Sequence, residues 1–232
     1  MLTFCHNGGH EPLPKTAYPQ ICRRSVTSDM SRTPSLNRLA ALIERAPVIR
    51  SSELKKFGIH RQTLKRAVDR GVLKRIDWGL YVRPEVPVDL KHRVILACKR
   101  VPQGVVCLES ALRLHGLASA ESDVIWMAID NTARRPTPTQ LNIRFVRFSG
   151  QALTQGVINT RIGGEPVRVH SVAKTVADCL KYRRKLESAV LSKAVDEALR
   201  QTKCTRERLL HFARICRVEK LLRFATKVSS RI

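Results

Sequence analysis

Between residues 61 and 75 the chain sets out Arg61, Gln62, Thr63, Lys65, Arg66, Lys74 and Arg75. An arginine can offer two parallel N–H groups to the O6 and N7 edge of guanine. A glutamine can pair with adenine in the same manner, a threonine hydroxyl serves either base, and a lysine is a point charge for phosphate. The chemistry open to such a set is recognition of a polyanion with hydrogen-bonding edges, which describes duplex DNA. These seven residues are the candidate DNA-binding side chains.

The elements that must carry them can be read from the same stretch, Gly58 to Val82. From Arg61 to Arg70, Leu64, Ala67 and Val68 recur at helical spacing and predict an inward stripe. Arg61, Gln62, Lys65, Arg66 and Asp69 take the opposite face. Gly71 stands where a helix stops. Val72-Leu73 begins a strand that runs through Lys74-Arg75-Ile76, Asp77-Trp78-Gly79 turns the chain, and Leu80-Tyr81-Val82 returns it. Helix, glycine and basic hairpin in this order predict the second half of a winged helix-turn-helix. Upstream, Leu36, Leu39, Ala40 and Ile43 mark a first helix from Ser35 to about Arg45. A second is expected to be capped by Ser51 or Ser52, with Leu54 and Phe57 inward and Gly58 closing it.

Charge agrees with this chemistry. Lysine and arginine number 43 against 19 acids, a net charge of +24. Residues 31–100 hold 17 basic and 6 acidic side chains, a net +11, and residues 181–232 hold 15 and 5, a net +10. Residues 101–180 hold 8 and 6, so two basic regions flank a nearly neutral middle. Such a balance favours nucleic acid or another polyanion. Hydrophobic residues make up 43% of the chain, enough for packed domains rather than a tail. No apolar run approaches the roughly 20 residues that a bilayer span needs, so no membrane partner is expected. The seven cysteines contain no Cys-x-x-Cys pair, and several lie in apolar patterns such as Val106-Cys107-Leu108. Cysteine used as a small core residue points to a reduced, cytoplasmic protein.

Residues 1–30 mix His, Pro, Gly, Ser and charge without periodicity and predict a disordered leader; a start codon assigned ahead of Met30 would give the same pattern. Residues 31–84 form the winged-helix domain. Pro84 and Pro87 delimit a linker over 85–90, and residues 91–232 form a second, mixed domain. In that domain Asp89 is expected to cap a helix through Cys98, and Glu109 to His115 to form another. Val124 to Ile129 reads as a buried central strand and Asn142 to Phe148 as a strand with one exposed face. Val157–Ile162 and Pro166–His170 read as a hairpin turned at Gly163-Gly164. Helices capped by Ser171 and Thr205, with another over Leu186 to Arg200, fill the C-terminal part, the last one interrupted near Val218. The fold class is therefore α+β: an N-terminal winged helix-turn-helix followed by a mixed α/β domain with C-terminal helices.

Residues that could do other chemistry fall short of a constellation. Glu121-x-Asp123 could place two acids together for a metal, but it reads better as a solvated turn. Glu53-x-Lys55 falls on a helix of the DNA module. Asp178 and Lys174 form an i,i+4 pair in the weaker order, which reads as a surface or structural pair rather than a catalytic one. His115 and His170 lie at element ends, also structural. Cys5, His6, His10 and Cys22 match no common zinc spacing. No Gly-rich phosphate loop or nucleophile elbow is present. No catalytic residue, metal or cofactor is expected.

Taken in order, four blocks resemble AbiEi-type antitoxins of the type IV (abortive infection) toxin–antitoxin class. They are Ser52 to Val82; Val105 to Leu112 with His115-Gly116-Leu117; Val167 to Ser171 with Lys174 to Cys179; and His211 to Val218. The likeness spans about Ser35 to Arg223. The leader is extra, and Leu221-Leu222-Arg223-Phe224-Ala225 lacks the Pro-Tyr of related sequences. The resemblance implies a winged helix that represses the protein's own operon by binding its promoter. It also implies a C-terminal domain that counters a nucleotidyltransferase-like toxin encoded next to it. Two other readings stay open: a solitary winged-helix transcription regulator, and a nucleic-acid enzyme targeted by a winged helix.

Overall fold

The computed structural model describes residues 34–46, 48–85, 89–119, 122–134, 139–186, 188–200 and 204–223. The leader over 1–30, Glu121 and the middle of the linker lie outside them.

The first helix, α1 (Pro34–Arg45), buries Leu36, Leu39 and Ile43 on one stripe, as its spacing dictates. A short strand follows, β1 (Val48–Arg50), which the sequence reading missed. Three residues carry too little alternation to announce a strand, and β1 is defined by its antiparallel pairing to a later one. Next come α2 (Ser51–Leu54), tightened into a 3-10 turn over Lys55–Phe57, and α3 (Arg61–Asp69). The capping expectation for α2 fails. Its N-cap is Arg50 without a side-chain cap, and Ser51 and Ser52 are already helical. Phe57 also departs from expectation at 49% exposed, because the 3-10 tightening rotates it off the packed stripe. Gly58 closes the turn at φ 68°.

β2 (Lys74–Asp77) and β3 (Leu80–Val82) form the wing. The three-stranded sheet has the order β1-β3-β2, all antiparallel, with a bulge between Arg75 and Asp77. Leu39, Ile43, Leu54, Ile59, Leu64, Ala67 and Leu73 make this domain's core.

The second part of the chain begins with α4 (Leu90–Arg100), whose cap Asp89 accepts from the His92 N–H at 2.8 Å. Then follow β4 (Val105–Val106), α5 (Leu108–Leu114), β5 (Ile125–Asp130), β6 (Ile143–Phe148) and the short α6 (Gln151–Thr154). β7 (Val157–Ile162) and β8 (Glu165–His170) are the expected hairpin. α7 (Val172–Lys181), α8 (Ser188–Arg200) and α9 (Arg206–Ile215) end the fold, and the chain turns at positive-φ Arg217 before a last helical turn over 219–223. The five-stranded mixed sheet runs β6-β5-β4-β8-β7. β5 is buried on both faces as expected, but the middle of the sheet is the two-residue β4.

The side-chain alternation of β5 assigns the two faces of this sheet. Trp126 and Ala128 join α5, α7, α8 and α9 in the larger core, whereas Ile125, Met127 and Ile129 pack with Val94 and Ala97 of α4. The other side of α4 presents Ile95 and Leu96 to Val48, Leu80 and Val82 of the wing sheet. The layers are thus wing sheet, α4, large sheet, helices.

Candidate nucleic-acid interface

α3 is a nine-residue amphipathic helix, and its inward side decides what its outward side can offer. Thr63, Leu64 and Ala67 are buried, which leaves Arg61, Gln62, Lys65, Arg66 and Asp69 exposed in a row, followed by exposed Arg70. Thr63 is therefore corrected. At 8% exposed it packs inward as the third residue of the helix, a turn ahead of Ala67, and is withdrawn from the candidate contacts. Gly71 (φ 71°) ends the helix in the left-handed region, and the Val72 and Leu73 N–H groups both donate to the Ala67 carbonyl. This tight exit delivers the chain directly into the wing.

On β2, Lys74 and Arg75 are exposed, paired opposite Val82 and Tyr81 of β3. The turn that follows is anchored. Asp77, only 8% exposed, accepts from the Trp78 N–H at 2.8 Å through Oδ1. Its Oδ2 accepts from Arg100 Nε at 3.1 Å and from the Thr139 hydroxyl. Burial pushes the Asp77 carboxyl up, but Thr139, the Trp78 N–H and Arg100 together hold it below the ordinary aspartate range. Trp78 itself is 73% exposed, with the Arg75 guanidinium 5.3 Å from its ring centroid. Sequence reasoning placed Trp78 in the turn but gave it no role. A tryptophan between Asp and Gly at a hairpin tip cannot reach a core, and that signal was available.

A second polar link joins the module to the large sheet. Lys99 Nζ lies 2.9 Å from Glu53 Oε2 and 2.9 Å from Glu165 Oε1. Glu53 is thus an ion-pair partner of α4. Asp123 pairs with Arg93, in keeping with a solvated turn.

The other cluster with chemical potential is interior. Asp178 accepts from Lys174 Nζ through Oδ1, and its Oδ2 lies 2.7 Å from His170 Nδ1. The Cys216 thiol donates to Oδ1 at 3.3 Å, and His115 Nε2 donates to the His170 carbonyl at 2.7 Å. Lys174, Asp178 and His170 are 0% exposed, so no substrate reaches them in this conformation. They tie β8, α7 and the segment after α9 together. Burial, with Asp178 nearby, pushes the Cys107 and Cys179 thiols well above their ordinary range, and Cys216 is pushed up to about 12. All five cysteines in the described residues are free. Protonated buried thiols are weak nucleophiles, consistent with their use as core residues. Among the described residues no group of three or more His, Cys, Asp or Glu is placed to hold a metal ion, and no helix is long and apolar enough to cross a membrane.

The order α1-β1-α2-α3-β2-β3, a three-stranded sheet with a hairpin wing and a cationic third helix define a winged helix-turn-helix of the transcription-regulator class. Residues 37–84 match the family described as transcriptional regulator, AbiEi antitoxin, so the resemblance read from the sequence is borne out over this module. No curated protein matches the chain.

Proposed function

We propose that this protein is a DNA-binding antitoxin of the AbiEi type, which represses its own operon and counteracts a nucleotidyltransferase-like toxin encoded beside it. The observation that carries the DNA half is that Arg61, Gln62, Lys65 and Arg66 on α3 and Lys74 and Arg75 on the wing are all exposed, inside the family-matched segment. α3 lies in the major groove with its N-terminal residues at base edges, and the wing follows the adjacent backbone. Residues 31–84 supply these contacts and residues 91–232 supply antitoxicity. The protein works in the cytoplasm, where its operator lies, and binding rather than catalysis is its activity.

The test has two parts. A gel-shift titration compares the protein's own promoter with random duplex, and preference for the promoter is the expected result. Co-expression with the adjacent reading frame is then scored by growth. The full chain rescues growth, and Arg61→Ala/Lys65→Ala rescues equally while losing repression. The family match ends at residue 84, which favours one other reading: a solitary winged-helix regulator. A harmless neighbour combined with intact promoter binding selects it.

A further inference from the structure

The wing tip holds a group outside the ionic and hydrogen-bonding set described above. Trp78 is 73% exposed, whereas the chain's other tryptophan, Trp126, is 5% exposed. The turn beneath Trp78 is built to a close tolerance. Gly79 sits at φ 72°, and a Cβ there would lie 2.8 Å from Ser51 Oγ. The Ser51 N–H donates to the Gly79 carbonyl at 2.9 Å. On the other side Asp77 holds the Trp78 N–H and is itself held by Arg100 and Thr139. The backbone is thus fixed on both flanks while the indole projects into solvent, with the Arg75 guanidinium 5.3 Å from its ring centroid. An aromatic face beside an arginine suits a sugar–phosphate chain: the guanidinium takes the phosphate, and the ring covers the apolar face of the deoxyribose or base edge next to it.

We propose that Trp78 is a nonionic DNA contact, laid by the anchored wing tip against the minor-groove wall beside the site that α3 reads. This rests on the reading that the module binds duplex DNA. The adjoining cations, Lys74 and Arg75 on the same hairpin, select a polyanion as the occupant of this surface. Because the turn is already fixed, the ring is placed with little ordering cost on binding.

The experiment uses the full chain and a labelled promoter duplex, with affinity measured by fluorescence anisotropy across a salt series. Trp78→Ala is expected to weaken binding about tenfold at every salt concentration, in line with the loss of one buried apolar contact, and to leave the salt slope unchanged. Arg75→Ala is expected to reduce the slope by about one. Trp78→Phe should recover most of the lost affinity. In a Trp126→Phe background the remaining tryptophan should become less accessible to acrylamide when duplex is added; if that background does not fold, the difference between wild type and Trp78→Ala reads the same signal. Wild-type salt-dependent binding with Trp78→Ala equally tight, and acrylamide access unchanged, overturns the role of Trp78 and leaves the DNA reading standing. Absence of duplex binding by the wild type overturns both. Intact DNA binding by Trp78→Ala with lost rescue of growth assigns the indole to a protein partner and also overturns the proposal.

Discussion

At the residue scale, the exposed groups of α3 and the wing differ in what they can report. Arg61 and Gln62 stand at the N-terminal end of α3, which the proposed docking would bring to base edges. Arg61→Ala or Gln62→Ala should relax preference at one operator position at a cost of about 1–3 kcal/mol, read in a binding-site selection. Lys74→Ala should weaken all sequences alike; the reverse pattern would place the helix the other way round. Asp77 provides a pH readout. Its folded-state value is lowered from the ordinary 3.8, so its stabilisation is complete above that value and disappears as pH falls through the lower one. The gap in melting temperature between wild type and Asp77→Asn should therefore be widest near neutrality and close in strong acid. In the interior, Asp178→Ala strands Lys174 without its carboxylate and should cost about 3–5 kcal/mol in a denaturant titration. The i,i+4 spacing of that pair was legible in the sequence, but it left a surface role as open as a structural one. Its complete burial was not, because His170 and Cys216 reach it from other segments.

At the scale of elements, legibility followed length and period. α3 could be read because nine residues give a clean stripe and Gly71 ends it. β7 and β8 could be read because Gly163-Gly164 falls between two alternating runs. β1 could not, since only its partner β3 makes it a strand, and α2 could not be bounded because it tightens within one turn. Thr63 was misplaced for a related reason: a small polar residue beside Leu64 gives no sign of which side of the stripe it joins. α4 was recognised as a helix with Val94 and Ala97 inward, but that reading saw one packed face where there are two. Ile95 is 0% exposed against Val48, Leu80 and Val82. Ile95→Ala should cost about 2–5 kcal/mol. Calorimetry should show a single unfolding transition moved as a whole, because the winged helix and the large sheet share this helix. Two separate transitions, only one of them shifted, would falsify the coupling.

For the whole molecule, charge sets the first expectation. If about six phosphates are neutralised, log affinity should fall with log salt at a slope near −5 in a gel-shift series, and salt-insensitive binding would contradict the DNA reading. The net charge that motivates this, +24, was visible from composition alone, but its placement along α3 and the wing needed the fold. The layering around α4 has a further consequence, for turnover of the protein. Val48, Leu80 and Val82 stay covered only while α4 remains in place, and Lys99 clips Glu53 to Glu165 across the same junction. A protease that cuts the connection between β3 and α4 therefore severs the covalent bond but not the particle. With a cleavable sequence in place of residues 85–88, the two fragments should co-elute on a sizing column after digestion and part only in denaturant. Clearing this protein from a cell should then require pulling the whole assembly apart, since a single nick is expected to leave both halves seated.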